Sequence, residues 1–438
     1  MLRSFTFGCG QGATKAMMQC IEDSVLNKSD CKVVNSTSKD IPSEYIKSAI
    51  IISDDPDAGC GKVREAAKDL MYQWICENIN SLKSLLCEYD NETNEYYPIY
   101  DYINIMATTE GASGSGASVV LAQYIKKELN IPVIITLISG FESDTRGLQN
   151  TINYFKDLEG GDFIIKTISN KKYLDQTSNV FTAEKMANKD ISKMMSVIET
   201  QDIINSDQNI DDTDLYKLIT NPGLMYIGHM DIDKKIKNSE QIDKMICDMI
   251  DYTTSLDFEP SATKIGIFMN VTDSTLENVD TEFTSIKKKL CSDTLPELFV
   301  HKQYNGKNEF IRIIATGINL PKQELMEMYN KYTDSTNKIN NSNDDFFSAL
   351  SNMTVKQNAL EKKQSNTNND FFSDFKPTKS ETTEESNSVL SRTSRRGRRR
   401  SILNTNNNQS QSSETSGRSF STKNKKEEPY TEDSMNNF

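Results

Sequence analysis

Between Tyr102 and Leu129 an apolar run (Tyr102, Ile103, Ile105, Met106) enters the small-residue stretch Glu110-Gly111-Ala112-Ser113-Gly114-Ser115-Gly116. That stretch leads straight into a helix-like segment, Val119 to Leu129. A strand that becomes a helix across glycines belongs to a crossover sheet, with its loop at the strand's carboxyl end, where such sheets bind ligands. Glycines at 111, 114 and 116 let backbone N–H groups come close to an anion, and Ser113 and Ser115 add hydroxyl donors. The positive end of the following helix adds to the attraction for a phosphate. No Lys-[Ser/Thr] pair follows, so this is not the common P-loop. Taken alone, the stretch is equally well a flexible Gly/Ser connector.

The same strand–loop–helix arrangement occurs at the start of the chain. Leu2 to Phe7 reads as a buried strand, Gly8-Cys9-Gly10-Gln11-Gly12-Ala13 as a tight loop, and Thr14 onward as helix. Further strands are expected at Ala49–Ile52, Val133–Leu137 and Phe163–Ile168, with a helix from Val63 carrying Ala66, Ala67, Leu70, Trp74 and Ile75 on one face. Strands alternating with helices predict an α/β fold, a Rossmann-like parallel sheet covered on both faces. Gly8-x-Gly10-x-x-Ala13 also fits the dinucleotide fingerprint, which raises a dehydrogenase as a rival. Two glycine loops on neighbouring strand ends instead suit one long polyphosphate. Gly61-Lys62 is no P-loop either, because Val63 replaces the hydroxyl residue and Pro56 stands where the first glycine belongs.

From Val180 to Ile198, apolar residues at 180, 183, 187, 191, 194 and 198 recur at helical spacing and predict one long amphipathic helix. An acidic loop, Asn205 to Asp214, leads into a second block. There we expect a buried strand at Ile265–Met269, a helix over about 273–290, and a hairpin of Leu298–Val300 with Phe310–Ala315 turning at Asn305-Gly306. A closing helix, Pro321 to Tyr332, completes an α+β unit. The expected organisation is 1–178 nucleotide-binding domain, 179–204 central helix, 205–333 second domain and 334–438 disordered tail. In the tail Asn, Ser, Thr, Lys and Glu dominate and cannot offset chain entropy. It repeats Asp-Phe-Phe-Ser at 345 and 370 and carries a basic knot, Arg392, Arg395, Arg396, Arg398, Arg399 and Arg400, suited to an electrostatic partner.

Composition narrows the function. A net charge of −13 argues against general nucleic-acid binding by the folded part. Eight cysteines without a Cys-x-x-Cys pair, and only two histidines, give no zinc spacing and fit a reducing cytosol. No apolar run is long enough to span a membrane, and the first residues read as a strand rather than a signal peptide. A cytoplasmic protein is therefore expected.

These segments, in this order over residues 1–333, resemble the tubulin/FtsZ superfamily. Glu110 to Gly116 is similar to the family's [Gly/Ala/Ser]-Gly-Gly-Thr-Gly-[Ser/Thr/Ala]-Gly, departing at Glu110, Ala112 and Ser113. Gly8-Cys9-Gly10-Gln11-Gly12-Ala13-Thr14-Lys15 resembles the first nucleotide loop, and Gly61-Lys62-Val63-Arg64-Glu65-Ala66-Ala67 the loop-helix that senses the terminal phosphate. Phe141-Glu142-x-x-x-Arg146 is similar to the segment whose Glu and Arg face the ribose. Ile168-Ser169-Asn170-Lys171-Lys172-Tyr173-Leu174 resembles the lead into the central helix. Asn209-Ile210-Asp211-Asp212-Thr213-Asp214 matches Asn-x-Asp-x-x-Asp, the family's acid loop.

The resemblance implies GTP with Mg²⁺, held by Gly8, Cys9, Gly10, Gln11, Gly12, Lys15, Gly61, Gly111, Ala112, Ser113, Gly114, Ser115, Gly116, Glu142 and Arg146. Phe181 and Asn188 are the counterparts of the base-contacting residues. It implies a homopolymer in which one subunit's acid loop reaches its neighbour's nucleotide. Asp211 and Asp214 would polarise the attacking water and Asn209 orient it. Thr220-Asn221-Pro222-Gly223-Leu224 and Phe310 to Pro321 look closest to the plasmid and phage TubZ-like branch. That branch implies movement or positioning of DNA or phage particles, with the tail docking on a DNA-bound adaptor. A division-ring protein and a hydrolysis-poor filament scaffold are the alternatives. Glu110 bears on the latter, since its charge opposes phosphate unless it faces away or shares Mg²⁺.

Overall fold

Every residue of Val133–Ser139 is buried, rather than every second one, which marks a strand covered by helices on both faces. The computed structural model describes residues 2–53, 55, 59–199, 210–232, 238–253, 255–292 and 295–336. Its strands are β1 (Ser4–Cys9), β2 (Cys31–Asn35), β3 (Ile50–Ile51), β4 (Cys87–Asp90), β5 (Glu95–Pro98), β6 (Tyr102–Thr108), β7 (Val133–Ser139), β8 (Ile164–Ser169), β9 (Gly223–Asp231), β10 (Lys264–Asn270), β11 (Glu297–Gln303) and β12 (Phe310–Ile318). The helices are α1 (Gln11–Glu22), α2 (Ser43–Ile46), α3 (Arg64–Leu86), α4 (Ser118–Glu128), α5 (Thr145–Leu158), α6 (Asn170–Thr177), α7 (Val180–Glu199), α8 (Asp212–Ile219), α9 (Ser239–Asp251), α10 (Asp273–Leu276), α11 (Thr284–Cys291) and α12 (Lys322–Thr336).

Ten strands form one sheet in the order β11-β10-β12-β9-β8-β7-β6-β1-β2-β3, and β4 pairs separately with β5. Among the ten, β12 alone runs against the rest. The chain builds outward from β1 to β2 and β3, then returns to β6 on the other side of β1 and builds outward through β7 and β8. The strand order therefore reverses between β1 and β6, the position where open α/β sheets bind ligands. The expected α/β class with a mostly parallel sheet is what the chain adopts.

The second half differs from expectation in two places. The predicted hairpin does not form, because β10 lies between β11 and β12, parallel to the first and antiparallel to the second. β10 is buried almost throughout and so needs a partner on each edge. The Asn305-Gly306 turn does exist, with Gly306 at φ 74°. It serves a connection that passes the end of β10, held there by Asn270, whose amide donates to Asn308 O at 2.8 Å and accepts from Asn305 N–H at 3.0 Å. The helix expected over 273–290 is two helices. Asp280 accepts the N–H groups of Glu282 (2.9 Å) and Thr284 (2.8 Å) and so starts α11 afresh, after Phe283 has turned left-handed at φ 53°.

The halves join through a short seam in which Ile164 and Ile165 of β8 pair with Gly223 and Leu224 of β9. Gly223 sits at φ 113°, where a side chain would meet Ile318 O at 2.7 Å. Asn221 bridges to Thr263 (2.9 Å) and Thr316 (3.2 Å), so the Thr220–Leu224 and Phe310–Pro321 segments, far apart in sequence, form one joint.

Helix α7 is described over Val180–Glu199, which includes the whole span of the apolar periodicity; residues 200–204 of the expected central helix lie outside the described residues. Ala183, Ala187, Ile191 and Ile198 form its buried stripe, with Met195 in place of Met194, while Val180 is exposed. Glu199 anchors the end of α7 beneath the sheet, accepting from Tyr102 (2.7 Å) and Ser4 (2.8 Å). Burial pushes the Glu199 carboxyl up and brings the neighbouring Lys166 ammonium down to about 8. Among the described residues no helix is long and apolar enough to cross a membrane. The tail motifs, including the arginine knot, lie outside the described residues.

Candidate functional site

Three chain segments converge at the reversal between β1 and β6. Helix α1 begins at Gln11, three residues earlier than the sequence suggests, because Gly10 turns left-handed at φ 79°. A side chain at Gly10 would meet Gly114 N at 3.0 Å, so the two glycine loops touch backbone to backbone. At Gly114 a side chain would meet Thr108 O at 2.5 Å, and at Gly12 it would meet the Thr108 methyl at 2.7 Å. At Gly10 and Gly114 only glycine allows this approach without moving backbone. Ser113–Ala117 forms a π-helical turn feeding α4, a geometry concentrated at functional sites. The third segment follows β2, where the Ser36 and Ser113 hydroxyls lie 2.8 Å apart.

The electrostatics favour an anion. No side chain caps α1, α3 or the turn leading into α4, whereas α5, α6, α8, α9 and α10 are all capped by Asp, Ser, Asn or Thr. Helices α2 and α11 are also uncapped but start outside these loops. An uncapped start leaves N–H donors and the positive dipole end for a ligand. Asn35, at the carboxyl end of β2, is 2% exposed and its Nδ2 has no partner. A buried amide without an acceptor is costly, and a ligand oxygen there would relieve it. These observations fit a polyphosphate.

The predicted contact residues divide by placement. Gly10, Gln11, Gly12, Gly111, Ala112, Ser113 and Gly114 line the junction. Ser115 and Gly116 are buried behind it, with the Ser115 hydroxyl on Gly111 O (2.6 Å) and Gly116 against the Arg64 carbonyl. Gly8 lies within β1, where its missing side chain makes room for Met17. The Cys9 thiol is fully buried, and burial pushes its pKa up, so only its backbone can serve a ligand. Lys15 pairs with Glu184 of α7 at 2.9 Å. Gly61 and Lys62 are both left-handed (φ 55° and 62°), and Lys62 reaches Asp144, the cap of α5, at 2.6 Å. Arg146 is exposed on the first turn of α5. The Glu142 carboxylate, expected on the ribose, is turned to Lys331 of α12 and Lys171 of α6 and is only 6% exposed. Phe181, 82% exposed, stands on the first turn of α7, with Asn188 half-buried two turns on.

In the acid loop, Asn209 lies outside the described residues. Asp211 is exposed and is the N-cap of α8, its Oδ1 accepting the Asp214 N–H at 2.8 Å. Asp214 faces Lys217 at 3.6 Å. Sequence reasoning missed Asn35 and Ser36, although the polar run Asn35 to Lys39 directly after Val33-Val34 marks the end of a strand. Arg64, which the sequence reading includes in the loop-helix of the terminal phosphate, is 4% exposed and pairs with Asp157, fixing the start of α3 against the second glycine loop.

A parallel sheet that reverses at β1/β6, glycine loops meeting there, a central helix and a second half built on β9–β12 together define the tubulin/FtsZ fold, shared by solved TubZ, CetZ and FtsZ structures. CetZ2 from Haloferax volcanii, solved as a GTPγS-bound protofilament, superposes with a TM-score of 0.60 at 14% identity, covering 77% of this chain and 100% of that one. TubZ of Bacillus thuringiensis serovar israelensis, in a GTPγS-form protofilament, gives 0.59 at 17%, covering 77% and 92%. Tail-truncated TubZ of Clostridium botulinum phage c-st gives 0.56 at 20%, covering 76% and 97%. At such identities the likeness is one of fold. No family model and no curated protein matches the chain by sequence.

Proposed function

We propose that the chain is a GTP-binding, filament-forming GTPase whose pocket is shared between two copies. One copy supplies the glycine cradle, and the next supplies Asn209, Asp211 and Asp214. The observation that carries this reading is the convergence of two glycine loops and three uncapped helix starts at the reversal of the sheet. It is further supported by the GTPγS-bound protofilaments among the structural neighbours.

In this reading the backbone N–H groups of Gln11, Gly12, Ser113 and Gly114 bind phosphate oxygens, and Asn35 Nδ2 donates from the side. Phe181 offers its exposed face to the base. Asp211 uses Oδ1 as a cap and keeps Oδ2 for a water molecule, which it aligns for attack on the terminal phosphorus. The P–O bond to the leaving diphosphate then breaks, giving GDP and inorganic phosphate. Among the described residues no group of three His, Cys, Asp or Glu side chains could hold a metal ion. Mg²⁺ would enter on the triphosphate with its own waters and neutralise phosphate charge. We assign the tail arginines to an acidic partner, a DNA-bound adaptor in the plasmid and phage manner, with polymer dynamics moving or positioning DNA or phage particles in the cytoplasm.

Competition binding with a fluorescent GTP analogue tests the ligand: GTP should displace it and ATP and NAD should not. Displacement by NAD alone would restore the dehydrogenase. Electron microscopy with GTP and with a slowly hydrolysed analogue should show filaments, and their absence in both would remove the polymer. Removing residues 337–438 should spare filaments and abolish partner binding.

A further inference from the structure

Glu110 stands where the family pattern would place a small residue, at the entrance to the second glycine loop. Its carboxylate is nonetheless already engaged. Oε1 accepts the Glu142 N–H at 2.7 Å, and its own carbonyl accepts the Asn150 side-chain amide at 2.9 Å. The space around the carboxylate is made by glycines from two other segments. A side chain at Gly140 would collide with the carboxylate, and one at Gly147 would come within 3.0 Å of its carbon. Burial, helped by the nearby Asp144 charge, raises its pKa against the N–H groups of Glu142 and Phe141 that donate to it.

The β6/β7 ladder ends at Thr108 and Ile138, and one further bond, Thr109 N–H to Ile138 O at 3.1 Å, carries it a residue beyond. Past that point the strand pairing gives way to the phosphate loop on one side and the Phe141–Arg146 segment on the other, to which the nucleotide reading assigns different parts of one ligand. We propose that Glu110 is a positioning residue that extends this ladder. Its carboxylate, clasped between Gly140 and Gly147, holds the Phe141–Arg146 loop in register with the glycine cradle. The charge that would oppose phosphate is thereby spent on the neighbouring loop. This inference rests on the nucleotide reading above.

The test is binding of a fluorescent GTP analogue to the full chain, with thermal melting as the check on folding. Glu110→Ala should weaken binding about tenfold, the scale of one lost charge-assisted bond. Glu110→Gln, which keeps an oxygen acceptor, should recover most of that. Arg146→Ala should weaken binding in the wild-type background and add little to Glu110→Ala, because the loop that leads into the first turn of α5, where Arg146 stands, is already out of register. A purely structural role would make the two losses multiply. Unchanged affinity in Glu110→Ala, or full additivity with Arg146→Ala, overturns the proposal. Should Glu110→Ala not fold, Gly140→Ala, whose methyl would displace the carboxylate, takes its place in the same cycle with the same two outcomes. Failure of the wild-type chain to bind GTP would sink the nucleotide reading, and this inference with it. Binding by the wild type with additive losses sinks this inference alone.

Discussion

The two helix starts on which the proposed function rests are built in opposite ways. At α1, Gly10 supplies no side chain, leaving the first N–H groups and the dipole for a ligand. At α8, Asp211 closes the helix with its own carboxylate. One start is open to an anion, and the other is already satisfied by a carboxylate. In the proposed function the contrast separates binding from chemistry: the open start of α1 belongs to the cradle, whereas Asp211 is an exposed carboxylate fixed by its capping bond, which that reading assigns to the nucleotide of a second copy.

Breaking the open start should have the largest effect. Gly114→Val drives a branched side chain into the Thr108 carbonyl. It should abolish GTP binding and cost about 3 kcal/mol of stability, read by calorimetry and thermal melting. Next come two substitutions at the closed start. Asp211→Asn keeps a capping oxygen, so stability and GTP affinity should hold while turnover falls at least ~100-fold. Asp211→Ala should lose the same turnover and about 1 kcal/mol in addition, because the cap goes too. Equal turnover in Asp211→Asn and wild type would reduce the residue to a cap. Phe181→Ala should weaken GTP by about 1 kcal/mol without lowering the melting temperature, since the ring is exposed and packs little.

The smallest effect concerns Asp144, whose carboxyl is held below the ordinary 3.8 by Lys62 and the Gly147 N–H. A folded-state pKa below the unfolded one gives stability that is present above 3.8 and lost as pH falls through the folded value. Asp144→Asn keeps the cap, so its deficit should be under about 1 kcal/mol at neutral pH and should close in acid.

Much of this was legible in the residues. β6, β7 and β8 are mostly apolar segments interrupted only by Asn104, Thr136, Lys166 and Thr167 before their last residues, and glycine loops follow β1 and β6, so the fold class is legible from the alternation of strands and helices. What escaped depends on distant partners. Lys32 breaks the apolar run of β2, whose Cys31 and Val33 are buried in the core cluster shared with Ala16, Met17 and Cys20 of α1. The Asn305-Gly306 signal fixes a turn but cannot say that β10 will lie between the two strands. Glu110 reads as a charge beside phosphate until Gly140 and Gly147 are seen to enclose it. Asp211 carries two meanings in one side chain, cap and acid, and local sequence cannot separate them.

GTP turnover per subunit, measured across protein concentration, bears most directly on the shared pocket. A pocket completed by a second copy predicts almost no turnover in dilute solution and a steep rise above a threshold, with the rise abolished in Asp211→Asn. The same turnover per subunit at every concentration would contradict it.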